Sequence, residues 1–442
     1  MNPQNTGRSL FKSAITFLPL TGWTLFIALA GTIQPVAAQT FTVLHIFTGG
    51  PDGGFPYAGL TIDRGGNLYG TTDYGGIVTQ SCSAGCGVVF KLSQRNSQWI
   101  LTPLYSFERG SDGAIPQGQV AIGPIGSIYG TTLEGGDDLC YSGGCGTVFN
   151  LRPPARALGN ILGNWGETQL YAFQGGNDGE GPLAGPPVFD PDGNIYGTTL
   201  NGGNGVGTVY KLTPTEGAWT ETILHSFQGG SDGTYPMSGL FRDSAGNLYG
   251  TTYVGGSNGS GGNGFGTVYE LTPSGSGWTK TTLYEFQGTN DGQFPIGGLI
   301  MDSAGNLFGT TNGGMHGGAT VFELTPTQGG WDFATIYAFP GMLSGGGPTD
   351  TLTMDGTGNL YGTAFKGGAW GLGSVFRLAP ANGAWAYSDL HDFMPGNYGQ
   401  YPYGSVTIDA NGDLYGTTIN GGSDGCSGYG CGTAWKIARH AP

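Results

Sequence analysis

Beyond residue 38, short apolar stretches alternate with clusters of Gly, Asn, Asp, Ser and Pro along the whole chain. Residues 239–286 show the pattern. Gly239-Leu240-Phe241-Arg242-Asp243 reads as a first strand, Ser244-Ala245-Gly246 as a tight turn, and Asn247 to Thr252 as a second strand. A Gly/Asn/Ser loop leads to a third strand, Gly266 to Leu271. Thr272-Pro273-Ser274-Gly275 turns the chain into a fourth, Trp278 to Phe286. Each stretch has strand length and is bounded by turn residues.

The unit recurs. Tyr-Gly-Thr-Thr or a close variant begins at Tyr69, Tyr129, Tyr196, Tyr249, Phe308, Tyr361 and Tyr415. A Gly-Thr-Val-Phe-like string ends at Phe90, Phe149, Tyr210, Tyr269, Phe322, Phe376 and Trp435. A Leu-Tyr-x-Phe-like string ends at Phe47, Phe107, Phe173, Phe227, Phe286, Phe339 and Phe393. Three columns agree on seven units, spaced 53–67 residues apart. Four strands per unit of this length is the period of a β-propeller blade. The expected fold is therefore all-β: a seven-bladed β-propeller over residues 39–442, with four antiparallel strands per blade. Residues 41–47 match only a fourth strand, and 404–437 supply only three strands, so the N-terminal strand should complete the last blade (3+1 closure). A Trp stands five residues before the Leu or Ile of six fourth strands (Trp99, Trp165, Trp219, Trp278, Trp331, Trp385), and the same count back from Leu44 gives Gln39.

Composition sharpens this picture. Gly makes up 91 of 442 residues and charged residues only 10%, with 12% aromatics. The aromatics argue against bulk disorder, and interior Gly argues against helices. The formal net charge of −15 makes a nucleic-acid partner improbable. Residues 1–38 stand apart: Arg8 and Lys12 precede a mostly apolar run from Ala14 to Ile33, and Val36-Ala37-Ala38 gives small residues at a cleavage site. The expectation is a secretory signal peptide, no membrane contact after its removal, and a secreted, cell-surface or periplasmic protein; an uncleaved anchor is the alternative.

The pattern Gly-Asn-Leu-Tyr-Gly-Thr-Thr-x-x-Gly-Gly followed by Gly-Thr-Val-Phe-x-Leu resembles the bacterial extracellular tandem repeat called GloVer (Gloeo-Verruco), over nearly all of residues 40–437. The resemblance implies secretion, often with a C-terminal surface anchor; the ending Ala438–Pro442 offers no hydrophobic tail for one. It implies no particular activity. The Asp-x-x-Gly-Asn-Leu-Tyr turn is also similar to NHL-type propellers, an analogy of fold alone.

Up-and-down strands place the fourth-to-first and second-to-third loops on one face, the more variable and so the expected binding face. Five loops of the first type carry Asp-Gly: Asp52, Asp112, Asp178, Asp232 and Asp291. The sixth has Gly345-Gly346-Gly347-Pro348 and the seventh Asn397-Tyr398-Gly399. An arc of carboxylates suits a hard cation, so these five are the candidate metal ligands and Ca2+ the candidate cofactor, though no cofactor is required. The alternative is that each Asp serves its own turn. Asp63, Asp243, Asp302, Asp355 and Asp409, in the other turn, are assigned to the turn.

Six Cys form close pairs in the second-to-third loops of units one, two and seven: Cys82/Cys86, Cys140/Cys145 and Cys426/Cys431. An even count behind a signal peptide predicts three local disulfides. His45, His225 and His391 occupy a column that is otherwise Tyr, which makes them strand residues; His316 stands alone in a loop and His440 in the tail. Unit two carries a longer stretch from Leu151 to Trp165, with Arg152 and Arg156. No nucleophile elbow, zinc-protease helix or phosphate loop occurs, so no catalytic residues are assigned. The leading expectation is a monomeric, non-catalytic binding propeller for extracellular polysaccharide or protein. The alternative is a metal-assisted hydrolase or lyase with its site in the axial funnel.

Overall fold

A computed structural model describes residues 39–439, apart from 137–139, 141–142, 158–159, 163, 184, 258–263, 314–317, 341–346 and 423. The leader, His316, His440 and Gly345-Gly346 lie outside the described residues. Seven four-stranded antiparallel sheets follow one another, each in the order first-second-third-fourth from the axis outward. No α-helix occurs among the described residues. In the fourth blade the strands are Phe241–Arg242, Leu248–Thr252, Thr267–Ser274 and Gly277–Glu285.

Two details depart from the sequence expectation. The first strand has only two residues, because Gly239 and Leu240 line the axis instead of pairing. The third strand runs on through Pro273, where a turn was expected, because Pro273 pairs across the sheet with Trp278; Pro214, Pro326 and Pro380 do the same with Trp219, Trp331 and Trp385.

The ring closes as the repeat count requires. Thr40–Ile46 pairs antiparallel with Thr433–Ala438 and is the outer strand of the seventh blade. In all seven blades the third-to-fourth ladder carries a register shift at the same place. In the closing blade the residue it leaves unpaired is Leu44. An extra residue re-aims the side chains that follow it. Three positions on, Phe47 is fully buried and meets Phe90 of the next blade edge-on at 5.2 Å. The same contact joins Phe107 to Phe149, Phe173 to Tyr210, Phe227 to Tyr269, Phe286 to Phe322, Phe339 to Phe376 and Phe393 to Trp435, with centroids 5.1–5.9 Å apart. The hydrophobic core is thus a ring of inter-blade aromatic pairs, each adding about 0.5–1.5 kcal/mol beyond its area.

Every position of Tyr-Gly-Thr-Thr has a physical task. The Tyr hydroxyl donates to the Asp of the first-to-second turn, as in Tyr69–Asp63, Tyr361–Asp355 and Tyr415–Asp409. Asp190 joins this set through Tyr196. The Gly lies beneath the third-strand aromatic: a Cβ on Gly416 would sit 2.3 Å from the Trp435 ring. The first Thr donates to a backbone carbonyl of the next blade. Thr71 reaches Gly118, Thr198 Ser238, Thr251 Gly297, Thr310 Asp350, Thr363 Gly404 and, across the closure, Thr417 reaches Ala58, at 2.8–3.4 Å. The second Thr bonds the third strand, as Thr252 Oγ1 does to Thr267 Oγ1 at 2.8 Å.

Candidate functional site

The two loop types share a face: Gly54 bridges Tyr74, Ala114 bridges Glu134 and Thr234 bridges Val254. On that face each Asp-Gly carboxylate is held by its own loop. Asp52 accepts from the Thr48 amide (3.1 Å), Asp112 from Glu108 (2.9 Å), Asp178 from Gln174 (2.7 Å), Asp232 from Gln228 (2.8 Å) and Asp291 from Gln287 (2.6 Å). The ring seven residues earlier completes the set: His45, Tyr105, Tyr171, His225 and Tyr284 each bond the carboxylate of their own unit. Burial pushes Asp52 up, but the bonds from His45 and Thr48 outweigh it and hold the carboxyl below its usual range. Among the described residues no three His, Cys, Asp or Glu side chains group as metal ligands would. With these carboxylates engaged locally, the melting temperature is expected to be the same in excess Ca2+ and in chelator; a rise that grows with Ca2+ concentration would establish a metal site.

The same rings meet the residue two places after the Trp column in the next blade. Phe333 stacks on Tyr284 (4.0 Å), Tyr387 on Tyr337 (4.3 Å) and Phe41 on His391 (3.7 Å). His391 is consequently pushed down to about 4 by burial. In the fourth blade Lys280 takes this position and pairs with Asp232 at 3.0 Å. In blades two and three it is an acid facing an acid. Glu167 faces Asp112 and rises to about 7, first through burial and then through that charge. Glu221 faces Asp178 and rises to about 9 through burial and that neighbouring carboxylate. Glu221 thus keeps its proton when folded and loses it when unfolded between about pH 4.5 and 9. The unfolded chain binds fewer protons there, so this group's contribution to stability falls as pH rises through that window. Glu221→Gln is expected to raise the melting temperature at pH 8 and leave it nearly unchanged at pH 4, measured by thermal denaturation across pH. An equal shift at both values would refute the acid pair.

All three disulfides are formed, Cys82–Cys86, Cys140–Cys145 and Cys426–Cys431. They lie in the second-to-third loops of units one, two and seven, as the sequence places them; their contact with the next blade was not visible there. The carbonyls of Cys431, Cys86 and Cys145 accept the amides of Phe55, Ile115 and Gly181 in the next blade. In other blades Val206, Phe265 and Leu372 fill this place. The cystines therefore stand in for apolar residues at three successive interfaces, beginning with the ring closure. The insertion of unit two forms a small hairpin, Ala155–Ala157 with Asn160–Leu162.

The feature that sequence reasoning left unread is the axis. A chamber of about 200 Å3 is bounded by the residues that follow the Asp-Gly loops in all seven blades. One residue per blade, next after a Pro, defines its wall. Thr349, Tyr403, Tyr57 and Gln117 come from blades six, seven, one and two. Leu183, Met237 and Ile296 come from three, four and five. Because the blades are cyclic, the polar residues form one continuous arc and the apolar residues the other. Below lies a second chamber of about 290 Å3 sharing Gln119 and Gly239 with the first.

The polar arc is built, not incidental. Gln117 Nε2 donates to Asp73 Oδ2 at 2.6 Å, and Asp73 is only 2% exposed. Burial raises the Asp73 carboxyl well above its usual range, against the Gln117 bond. Asp73 stands where the other units have Leu133, Leu200, Tyr253, Asn312, Phe365 or Ile419. Asp350 stands where others have Ala, Gly or Ser. It accepts the Thr351 and Ser405 amides at 2.7 and 2.8 Å. Ser405 Oγ then donates to Gln119, whose Nε2 reaches the Leu60 carbonyl. Tyr57 and Tyr403 meet edge-on at 5.3 Å, and burial and Asp350 raise Tyr403 to about 12.

Fold and site together define a repeat-built seven-bladed propeller with an axial chamber. The Gloeobacter/Verrucomicrobia repeat matches residues 28–166, 142–353 and 263–440, and the chain belongs to that family. No curated protein matches it. A fungal alcohol oxidase of the AA5 family, solved with copper, is similar in fold at a TM-score of 0.53, with 12% identity over 91% of this chain and 76% of that one. The extracellular domain of a candidate one component system from B. thetaiotaomicron aligns at a TM-score of 0.49 and 11% identity; 90% of this chain is covered, but only 39% of that chain. A candidate oxidoreductase (glucose dehydrogenase) from Thermus thermophilus aligns at 0.43 and 16% identity, covering 90% and 100%.

Proposed function

We propose that this protein is a secreted, monomeric, non-catalytic binding propeller for extracellular polysaccharide or protein, engaged on its loop-rich face. The observation that carries this reading is the axial wall, where residues depart from the repeat in two contiguous arcs while the rest of each blade keeps its columns. Elements that serve only the fold have no reason to differ there. Three disulfides suit an oxidising compartment. Trp370, Tyr398 and Tyr429 are 60%, 47% and 73% exposed on loops of blades six and seven, and flat aromatic faces of this kind hold sugar rings or protein surfaces. The test pairs a glycan array and polysaccharide pull-down with an assay for new reducing ends. Retention without cleavage is expected. Cleavage that a chelator abolishes would overturn the reading in favour of a metal-assisted hydrolase or lyase.

A further inference from the structure

We propose that the axial chamber receives one terminal, uncharged pyranose unit of a glycan; this rests on the polysaccharide arm of the function proposed above. Three observations converge on that ligand. The first is enclosure. All seven blades wall the chamber, so a ligand enters only along the axis and an internal segment of a polymer cannot reach it. A chain end can.

The second is the division of the wall. A pyranose presents a C–H face and a rim of hydroxyls. The arc of Leu183, Met237 and Ile296 suits the former, and the opposite arc suits the latter. On that side Gln117 has one amide N–H held by Asp73, which leaves its remaining donor and its carbonyl oxygen for hydroxyl groups. A hydroxyl-rich ligand rewards such a site strongly, because buried amide groups left without partners are costly.

The third is charge. Among the described residues no Lys or Arg borders either chamber, while Asp350 lines the upper one and Asp73 lies directly behind Gln117. An anionic sugar would be enclosed there with no counter-charge. Both oxygens of Asp350 already accept backbone amides, so no free carboxylate faces the chamber for a cationic amino sugar. Asp73 acts here as a positioning residue: it fixes the Gln117 amide and does not touch the sugar.

The experiment titrates the full secreted chain with methyl glycosides of neutral hexoses and N-acetylhexosamines, with a glucuronide and with glucosamine, using ligand-observed NMR and calorimetry. Neutral glycosides alone should bind. Gln117→Ala should weaken binding about tenfold, the equivalent of one hydrogen bond. Asp73→Leu places at that position the residue blades two and three already carry at Leu133 and Leu200, so it should fold, as near-UV circular dichroism would verify. It should weaken binding to the same extent, and the double variant no further, because both changes remove one oriented amide. Additive losses would overturn the positioning role. Preference for the charged sugars, or neutral binding indifferent to Gln117→Ala, overturns the funnel assignment. If that indifferent binding is instead lost in Trp370→Ala, the protein remains a glycan binder through its loops and only the axial site is refuted. Binding to no sugar at all, with a protein ligand captured on the loop-rich face, refutes the pyranose and leaves the binding-propeller reading standing.

Discussion

Phe47→Ala is expected to destabilise the protein by about 3–5 kcal/mol, the usual loss for a fully buried Phe. The side chain is 0% exposed and packs on Phe90, Leu60, Leu68 and Leu92 at the joint between the last blade and the first. Phe227→Ala removes the equivalent ring in the third blade and should cost about as much in equilibrium unfolding. The two variants should differ in where they open. Losing Phe47 frees a strand attached on one side only, so limited proteolysis should release the Thr40–Ile46 segment before global unfolding. Phe227 lies in a continuous strand-loop connection and gives no such early cut. Identical cleavage patterns in both variants would contradict closure by the N-terminal strand.

The second large effect is expected at Gly416. Its φ is not in the left-handed region, so the requirement is space alone. An added Cβ would fall 2.3 Å from the Trp435 indole, which is fully buried and cannot swing away. Overpacking of this kind costs about 1–3 kcal/mol. Gly416→Ala should therefore lower the midpoint of chemical denaturation with an unchanged slope. The double variant Gly416→Ala/Trp435→Phe should recover little of the loss, since where Phe faces this Gly, in blades one, two, five and six, an added Cβ still falls 2.5–2.6 Å from the ring. Full recovery by Trp435→Phe would contradict a clash set by the backbone spacing, and no loss in Gly416→Ala would refute the space requirement.

The architecture was legible because it is written seven times. Blade number, strand order and the 3+1 closure follow from columns that repeat, and the cystine partners follow from proximity in sequence. Repetition said less about the Asp-Gly carboxylates: five of them invite a shared cation, and each also bonds an amide four residues back and a ring seven back. The pairing of Asp52 with His45 and of Asp112 with Tyr105 was present as a covariation-like pattern within one chain, since an Asp follows by seven residues each His or Tyr of that column from His45 to Tyr284. The axis was hidden for the opposite reason. Asp73 and Asp350 occur once each and look like drift within their columns. They gain meaning only when the linear order of units is read as a circle, which brings blades six, seven, one and two side by side.

The threonine bonds between blades have a consequence for how the ring can be cut. Thr417 reaches Ala58 across the closure as Thr71 reaches Gly118 within the chain, and Phe393, Phe47 and Phe107 each meet the next blade in the same way. The molecule does not distinguish a covalent joint from a non-covalent one at these seams. A chain opened at the start of another outer strand, with its present ends joined, would carry the same set of seams in a different linear order. The fold is in that sense a cyclic permutation class, and the sequence is one representative of it.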